Sequence, residues 1–492
     1  MLTRSADLRV YEGGGTRVIP PRPESRHWSA IRIWLALATV LALLTVSLAP
    51  PPYLAPAAAG LIAISVTLRF PLVGFGLLAF SVPWASGYAV TLSSFPISPT
   101  DLLVAVIGSV WLADAAINHR SLLSTTVWTP FMLTFVAVIA VSASQATDIH
   151  ASLRELVKWL ELLVIYLAGA RFVTGRAQMQ FLVACLVAAG VSQALLGYIQ
   201  FAFQLGPAAF VHGRFLRAYG TFDQPNPYAG YLNMVLPLAL SMAILARSGR
   251  ERFWYGLASL ALAGALLASE SRGALLAGSL AVLVVLACAS RPWYRLVWLG
   301  ALAGALAAWL AALGLVPTSV FSRVLDAIGL GGVSFGHVTD ANFSAVERAA
   351  HWLAGVRMFA DHPLLGVGIG NYADAYPAYH PRGWYAALAH AHNYYINIAA
   401  EAGVLGLAAY VLFAGSALWY SYAAIRQSTG SASAVALGVL GALVATSFHN
   451  LFDVLYVHGM VALLGLLMVL VPASLQLGTV QSTGAPDPRP ST

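Results

Sequence analysis

Long apolar runs and short polar connections alternate along the chain. Runs approaching the roughly 20 apolar residues that cross a bilayer occur near 30–49, 53–68, 71–89, 100–117, 127–144, 155–172, 178–203, 228–247, 253–269, 272–289, 293–316, 394–425, 432–449 and 453–472. Several are short or closely joined, so the pattern predicts an all-α polytopic membrane protein with about 12–14 transmembrane helices. The polar connections include three longer segments, 145–158, 204–227 and 317–393, of which the last is by far the largest. Within it Ser344 and Glu347 have the spacing of a capping box ahead of "AVERAAHWLAGVRMFA", and "DHP" at Asp361–Pro363 stops that helix. Its mixed apolar and charged positions suit a helix lying on a membrane surface. The glycines of "LLGVGIGNY" follow a helix rather than a strand, so they read as a tight loop and not as a nucleotide motif. The chain therefore divides into a leader (1–29), transmembrane helices 1–11 (30–316), a large loop with surface helices (317–393), the last three transmembrane helices (394–472) and a tail of disordered composition (473–492).

Composition narrows the class. Of 492 residues 59% are hydrophobic and 9% charged, against about 25% charged in a soluble domain. The net charge of +7 is scattered, with no polybasic tract for nucleic acid. Cys185 and Cys288 both fall in apolar runs, which argues against a structural disulfide. Lys158 is the only lysine, so the arginines carry the topological signal. If the leader, with Arg4, Arg9, Arg17, Arg22, Arg26 and Arg32, is cytoplasmic and its apolar run a signal anchor, alternation puts Arg69, Arg120, Arg171, Arg176, Arg247, Arg250, Arg252, Arg291, Arg295 and Arg426 on the same side. The three long polar segments then face the opposite compartment. The chain shows no internal repeat, which counts against transporters built from inverted repeats.

The cations that break this asymmetry are the informative ones. Arg154 and Lys158 lie one helical turn apart in "HASLRELVKW", Arg214 and Arg217 lie in "HGRFLRAYGTF", and Arg272 lies in "SESRGALL". Each alone could snorkel to lipid headgroups or pair with Glu155 or Glu270. Together, so close to a bilayer, they are costly unless they face a polar cavity, and arginine forks suit phosphate oxygens. A pyrophosphate-bearing lipid is the natural ligand. The long loop also carries six of the twelve histidines, His337, His351, His362, His380, His390 and His392. If a helix begins near Asn393, His392 stands at its N-terminus, where the helix dipole disfavours an imidazolium and a neutral ring can accept a proton as a general base does. His390, Asn393, Asn397 and Glu401 recur at three- and four-residue steps as a polar stripe facing a cavity or a neighbouring helix. Solvated surface or helix capping is the plainer account of any one of these histidines. There is no HExxH and no tight carboxylate–histidine spacing, so no metal and no cofactor are expected.

Four motifs in order resemble the bacterial O-antigen ligase family over roughly residues 210–410. "HNYYINIAAEAGVLG" fits its H-N-x9-G-x-x-G pattern, with His392 and Asn393, nine residues, then Gly403 and Gly406. "RAYGTFDQPNPYAGYL" resembles its R-x-x-G-x-F…P-N segment, "SESRGALLAG" its S-R-G-A segment, and "AAHWLAGVRMFADHPLLGVGIGNY" its large-loop pattern. The resemblance implies a GT-C-like, inverting, metal-independent glycosyltransferase of the bacterial inner membrane with its site facing the periplasm. It would move O-antigen from undecaprenyl pyrophosphate to lipid A–core, without nucleotide. Carried over, His392 is the base and Arg217 and Arg272 hold the pyrophosphate, with Arg154, Lys158 and Arg214 as further cations and His390, Asn393, Asn397 and Glu401 in support. O-antigen polymerases and protein O-oligosaccharyltransferases share these motifs and remain alternatives. A polysaccharide or lipid transporter would instead place charges at the bilayer midplane.

Overall fold

The computed structural model describes residues 51–289 and 342–483, apart from Ser86, Ser93, Ser94, Ser124 and Thr125, together with Phe335, Val338 and Thr339. The apolar runs near 30–49 and 293–316, His337 and the end of the tail lie outside the described residues. The residues from Val66 onward form one compact unit, and all that follows concerns it.

The described residues are helical: α1 (Pro51–Arg69), α2 (Pro71–Trp84), α3 (Pro99–Ile117), α4 (Thr129–Ser142), α5 (Ile149–Phe172), α6 (Arg176–Phe203), α7 (Pro225–Leu245), α8 (Gly249–Ala268), α9 (Arg272–Ala289), α10 (Phe343–Asp361), α11 (Tyr372–Tyr379), α12 (Tyr394–Gln427), α13 (Ser431–His449) and α14 (Met460–Thr483). Among them α3, α6, α7, α9, α12, α13 and α14 are long and apolar enough to cross a membrane. The protein is an all-α polytopic membrane protein. Two small antiparallel hairpins pair Val90 with Ile97 and Val211 with Leu216.

Three boundaries differ from the sequence pattern. The 145–158 segment is not a loop: α5 starts at Ile149, capped by Asp148, whose carboxylate accepts from His150 N. The last apolar run is shifted: residues 451–459 are irregular, α14 begins at Met460, and it runs on to Thr483 through the first residues of the tail read as disordered from 473. Ser344 is not a cap either. Asn342 occupies the N-cap position of α10 and its side-chain oxygen accepts from Thr339 N, so the turn forms earlier and Ser344 lies inside the helix.

Contacts between helix ends sort the polar residues onto two sides. At one end Arg171 pairs with Asp114 at 2.9 Å and Arg176 donates to Ser431 Oγ at 3.2 Å. These are the ends of α3, α5, α6 and α13 to which the sequence assigns the compliant arginines. At the other end lie the N-termini of α5, α7, α9 and α12 and the C-termini of α8 and α13, with every candidate site residue. In lipid the hydrophobic effect does not drive helices together, and close approach depends on small residues. Thus Gly438 and Gly441 of α13 lie so near α7 that a Cβ would come within 2.6 Å of Leu238 Cα and 2.7 Å of Pro237 Cβ.

The "GVGIGN" loop is locked onto a break in α12. Gly403 leaves helical geometry at φ 65°, ψ −164°, a conformation open only to glycine. The break frees carbonyls and amides for the loop. Val367 N donates to Ala400 O at 2.9 Å, Gly368 N to Glu401 O at 3.0 Å, and Val404 N to Pro363 O at 2.8 Å. A Cβ on Gly403 would overlap the Leu364 carbonyl. The other side of the loop is held by Asn371, which is fully buried: its Oδ1 accepts from Asp148 N at 2.7 Å and its Nδ2 donates to Ser152 Oγ at 3.0 Å.

Candidate active site

The site is built where α10 crosses the start of α12. Gly355 lets α10 close on this point, its Cα face set against Ile396 and Ala391, and Trp352 Nε1 donates to the carbonyl of His392 at 3.3 Å. Asn393 is the N-cap of α12, its Oδ1 accepting from Tyr395 N and Ile396 N. His392 precedes the cap with φ +52°, a left-handed conformation uncommon for a side chain of this kind. The rest of the polar stripe is spent on holding the chain. Asn397 Oδ1 accepts from Ala391 N at 3.0 Å, Glu401 accepts from Tyr372 N at 3.0 Å, and Asn393 Nδ2 donates to Leu451 O at 3.0 Å. These buried groups, together with the Tyr394 N to Asn450 O bond at 2.8 Å, fix the loop and the 450–459 segment against α12.

That segment delivers the residue the sequence reading missed. Asp453 Oδ1 lies 3.2 Å from His392 Nδ1. Burial pushes the Asp453 carboxyl up, but the hydrogen bond from His392 and the charges of His392, His390 and His449 outweigh it and hold the group well below the usual carboxylate range. An ionised Asp453 can only accept, so Nδ1 of His392 is the donor in this bond, and in the neutral ring the lone pair falls to Nε2. That Nε2 is buried and hydrogen-bonds no described residue. An unsatisfied buried nitrogen is costly, and catalytic groups are a known exception; Trp159 Nε1, Gln193 Nε2 and Asn233 Oδ1 are in the same condition among the described residues.

Hydrogen bonds continue from the pair to the arginines. Asp453 Oδ2 accepts from Asn226 Nδ2 at 3.2 Å, Asn226 Oδ1 accepts from Arg217 Nη2 at 3.0 Å, and Arg217 Nε donates to Ser269 O at 2.8 Å. Arg217 is placed by its own backbone bond to Phe210 O and by Ala218 N on Ala268 O. Burial lowers its pKa from the ordinary value, Glu270 raises it, and Arg348 and Arg272 lower it further. Arg348 from α10 and Arg272 from the first turn of α9 are thus near enough to act on its charge. Arg348 Nε and His449 Nδ1 are also buried without a described partner.

The remaining candidates are dispersed. Arg214 is exposed at the turn of the second hairpin. Lys158 lies 2.5 Å from Glu155 and Arg154 3.9 Å from Asp148. His380 stays by Pro381 O at 3.0 Å. His390 Nδ1 accepts from His392 N at 3.2 Å. Ring nitrogens of His390 and His392 and a carboxylate oxygen of Asp453 lie within 4.8 Å of one another, the one described group with the spacing to hold a divalent cation. The same contacts are complete as an oriented Asp–His pair.

His351, missed as a partner of His392, is buried under it with ring centroids 5.9 Å apart and stacks on Tyr376 at 4.4 Å. Burial, then the charges of His392 and His390, push His351 down to about 4 from 6.5. His390 is also pushed down to about 4, by burial foremost, with Asp453 opposing and His392 and Lys158 adding to it. A group that excludes its proton when docked and binds it when released makes docking depend on pH. Stabilisation is complete above about 6.5 and is lost as pH falls through about 4. A near-ultraviolet circular dichroism titration should show the aromatic signal of α10 and α11 fading across that window. His351→Phe, which keeps the stack but cannot titrate, should shrink the change; an identical titration would refute the assignment.

Residues 257–411 match the family model described as O-antigen ligase, Wzy_C. No curated protein matches the chain. The matched span contains α9, the whole described loop, His392 and Gly403, and over it the chain is similar to that family.

Proposed function

We propose that this chain, of the O-antigen ligase family over residues 257–411, transfers O-antigen en bloc from undecaprenyl pyrophosphate to lipid A–core at the periplasmic face of the inner membrane. His392 Nε2 takes the proton of the acceptor hydroxyl as its oxygen attacks the anomeric carbon from the side opposite the leaving group. The bond from that carbon to the pyrophosphate oxygen breaks with inversion. Arg217, Arg272 and Arg348 hold the charge that develops on the leaving pyrophosphate. Asp453 keeps His392 in the required tautomer and stabilises the imidazolium that forms. The reaction consumes only the energy of the lipid-linked donor and draws on no nucleotide. The observation that supports this reading is the hydrogen-bonded run from His392 through Asp453 and Asn226 to Arg217, which brings a histidine and an arginine together at one end of the helix bundle. Polymerases share the four motifs and differ from a ligase in the acceptor, so the acceptor is the point to test.

Purified protein in nanodiscs, given lipid-linked O-antigen and rough lipopolysaccharide without nucleotide or added metal, should yield laddered lipopolysaccharide. Elongation of the donor alone would point to the polymerase, and no transfer to any glycan would end the reading. In that assay Arg217→Lys and Arg272→Lys should each lose most activity although the charge is kept, because a lysine cannot reproduce a bidentate fork on phosphate. Wild-type rates in both would remove the pyrophosphate role.

A further inference from the structure

Arg154 and Lys158 line a cavity of about 370 Å³ at the same end of the bundle. Its wall comes from the starts of α3 and α5, from Pro96 of the first hairpin and from the 456–462 segment, and its polar side chains include Asp101, Glu155, Glu161 and His458. The two cations there are already matched. Lys158 Nζ sits 2.5 Å from Glu155 Oε1 and donates to Tyr456 O at 3.1 Å, and Arg154 is 3.9 Å from Asp148. Asp101 Oδ2 accepts from Ser98 N at 2.7 Å, and Glu161 faces the same cavity. The wall thus sets three carboxyl groups against two cations, whereas Arg217 is close enough to Arg272 and Arg348 for both to act on its charge.

A wall of that balance offers little to a multiply charged pyrophosphate. It suits a polyol, since each hydroxyl donates one hydrogen bond and accepts others, and here acidic acceptors alternate with cationic donors. The volume lies at the small end of ligand pockets, about 300–1,000 Å³, the scale of a mono- or disaccharide. Position agrees with chemistry. Tyr456 and His458 on the cavity wall belong to the same irregular segment as Asp453, and Lys158 is near enough to His390 to act on its charge. A sugar lodged in the cavity would have the reacting bond a short distance away along the glycan.

We infer that this cavity is a saccharide subsite, holding an uncharged sugar unit of one of the two glycan substrates, and that Arg154 and Lys158 serve it rather than the pyrophosphate. The inference rests on the glycosyl-transfer reading, and its test separates the two. Glu155→Gln keeps the shape, removes an acceptor charge and releases Lys158. Loss of a charged hydrogen bond is worth about 1.5–3 kcal/mol, about 10–100-fold in affinity. The KM of one glycan substrate should therefore rise at least tenfold with kcat little changed: rough lipopolysaccharide if the cavity holds the acceptor, the lipid-linked glycan if it holds the donor's first sugars. Ala89→Trp, which narrows the cavity without changing charge, should raise the same KM. Direct binding of delipidated core oligosaccharide and of sugar-free undecaprenyl pyrophosphate to the full-length protein gives a readout that needs no turnover. Tighter binding of the sugar-free lipid by Glu155→Gln would show a pyrophosphate site and overturn the inference. So would unchanged KM values in both variants. If the wild type transfers glycan and depends on His392 in either of those cases, the transfer reading stands and only the subsite falls.

Discussion

His392→Asn should accumulate and melt like the wild-type protein yet transfer glycan about 10²–10⁴-fold more slowly, the usual contribution of a general base. Asparagine is the informative replacement because it tolerates the left-handed backbone that His392 adopts at φ +52°. The helix keeps its start, since Asn393 and not His392 supplies the cap. What is lost is the Nε2 lone pair. Asp453→Asn should share most of the loss: an amide nitrogen facing Nδ1 favours the tautomer with its proton on Nε2. The double variant should be little worse than His392→Asn alone, because the two residues act as a unit. Donor binding should survive in each, as the arginines are untouched. Near-normal transfer by His392→Asn would remove the catalytic assignment.

Gly403→Ala should abolish transfer by a different route, without touching a reacting group. The φ of +65° and ψ of −164° are closed to alanine, and the added carbon would strike the Leu364 carbonyl. Two outcomes are open to the chain, and both break the site. Either α12 straightens and withdraws the acceptors of Val367 N and Gly368 N, or the 363–368 loop is displaced. Each buried backbone group left unpaired costs about 1–3 kcal/mol, so docking of α10 and α11 should fail while the helix bundle remains. Limited proteolysis should then cut within 343–393 at a protease level that spares the wild type, with far-ultraviolet dichroism almost unchanged. Resistance equal to wild type, with full activity, would show that the break in α12 is dispensable.

The membrane fold is legible because apolar run length is a local signal. The start of α12, the stop at Asp361 and the glycine loop were legible for the same reason. The site was legible on one side only. His392 and Arg217 sit in recognisable motifs, but Asp453 pairs with His392 across 61 positions and looked like the start of an apolar run. The signal was there: a carboxylate within apolar sequence is expensive and is kept for a reason, and His449, Asn450 and Asp453 stand together in "HNLFD". Arg348 and His351 were read as polar positions of a surface helix, because nothing in the α10 sequence says that this face is covered by α12. Asn397 and Glu401 suggested a cavity lining for the opposite reason. Periodicity places them on one face, but only tertiary contacts reveal that the face is filled by backbone amides of the loop.

The lock between the "GVGIGN" loop and α12 also sets an order of events during synthesis. Residues 363–371 emerge before the carbonyls of Ala400 and Glu401 that receive them, so the loop must wait outside its final place until α12 has been threaded into the bilayer. Asp453 emerges later still, and until it arrives His392 has no partner for Nδ1. The His392–Asp453 pair is therefore completed among the last elements to be made; on the proposed mechanism, a nascent or truncated chain would hold the arginines for a donor without the means to discharge it.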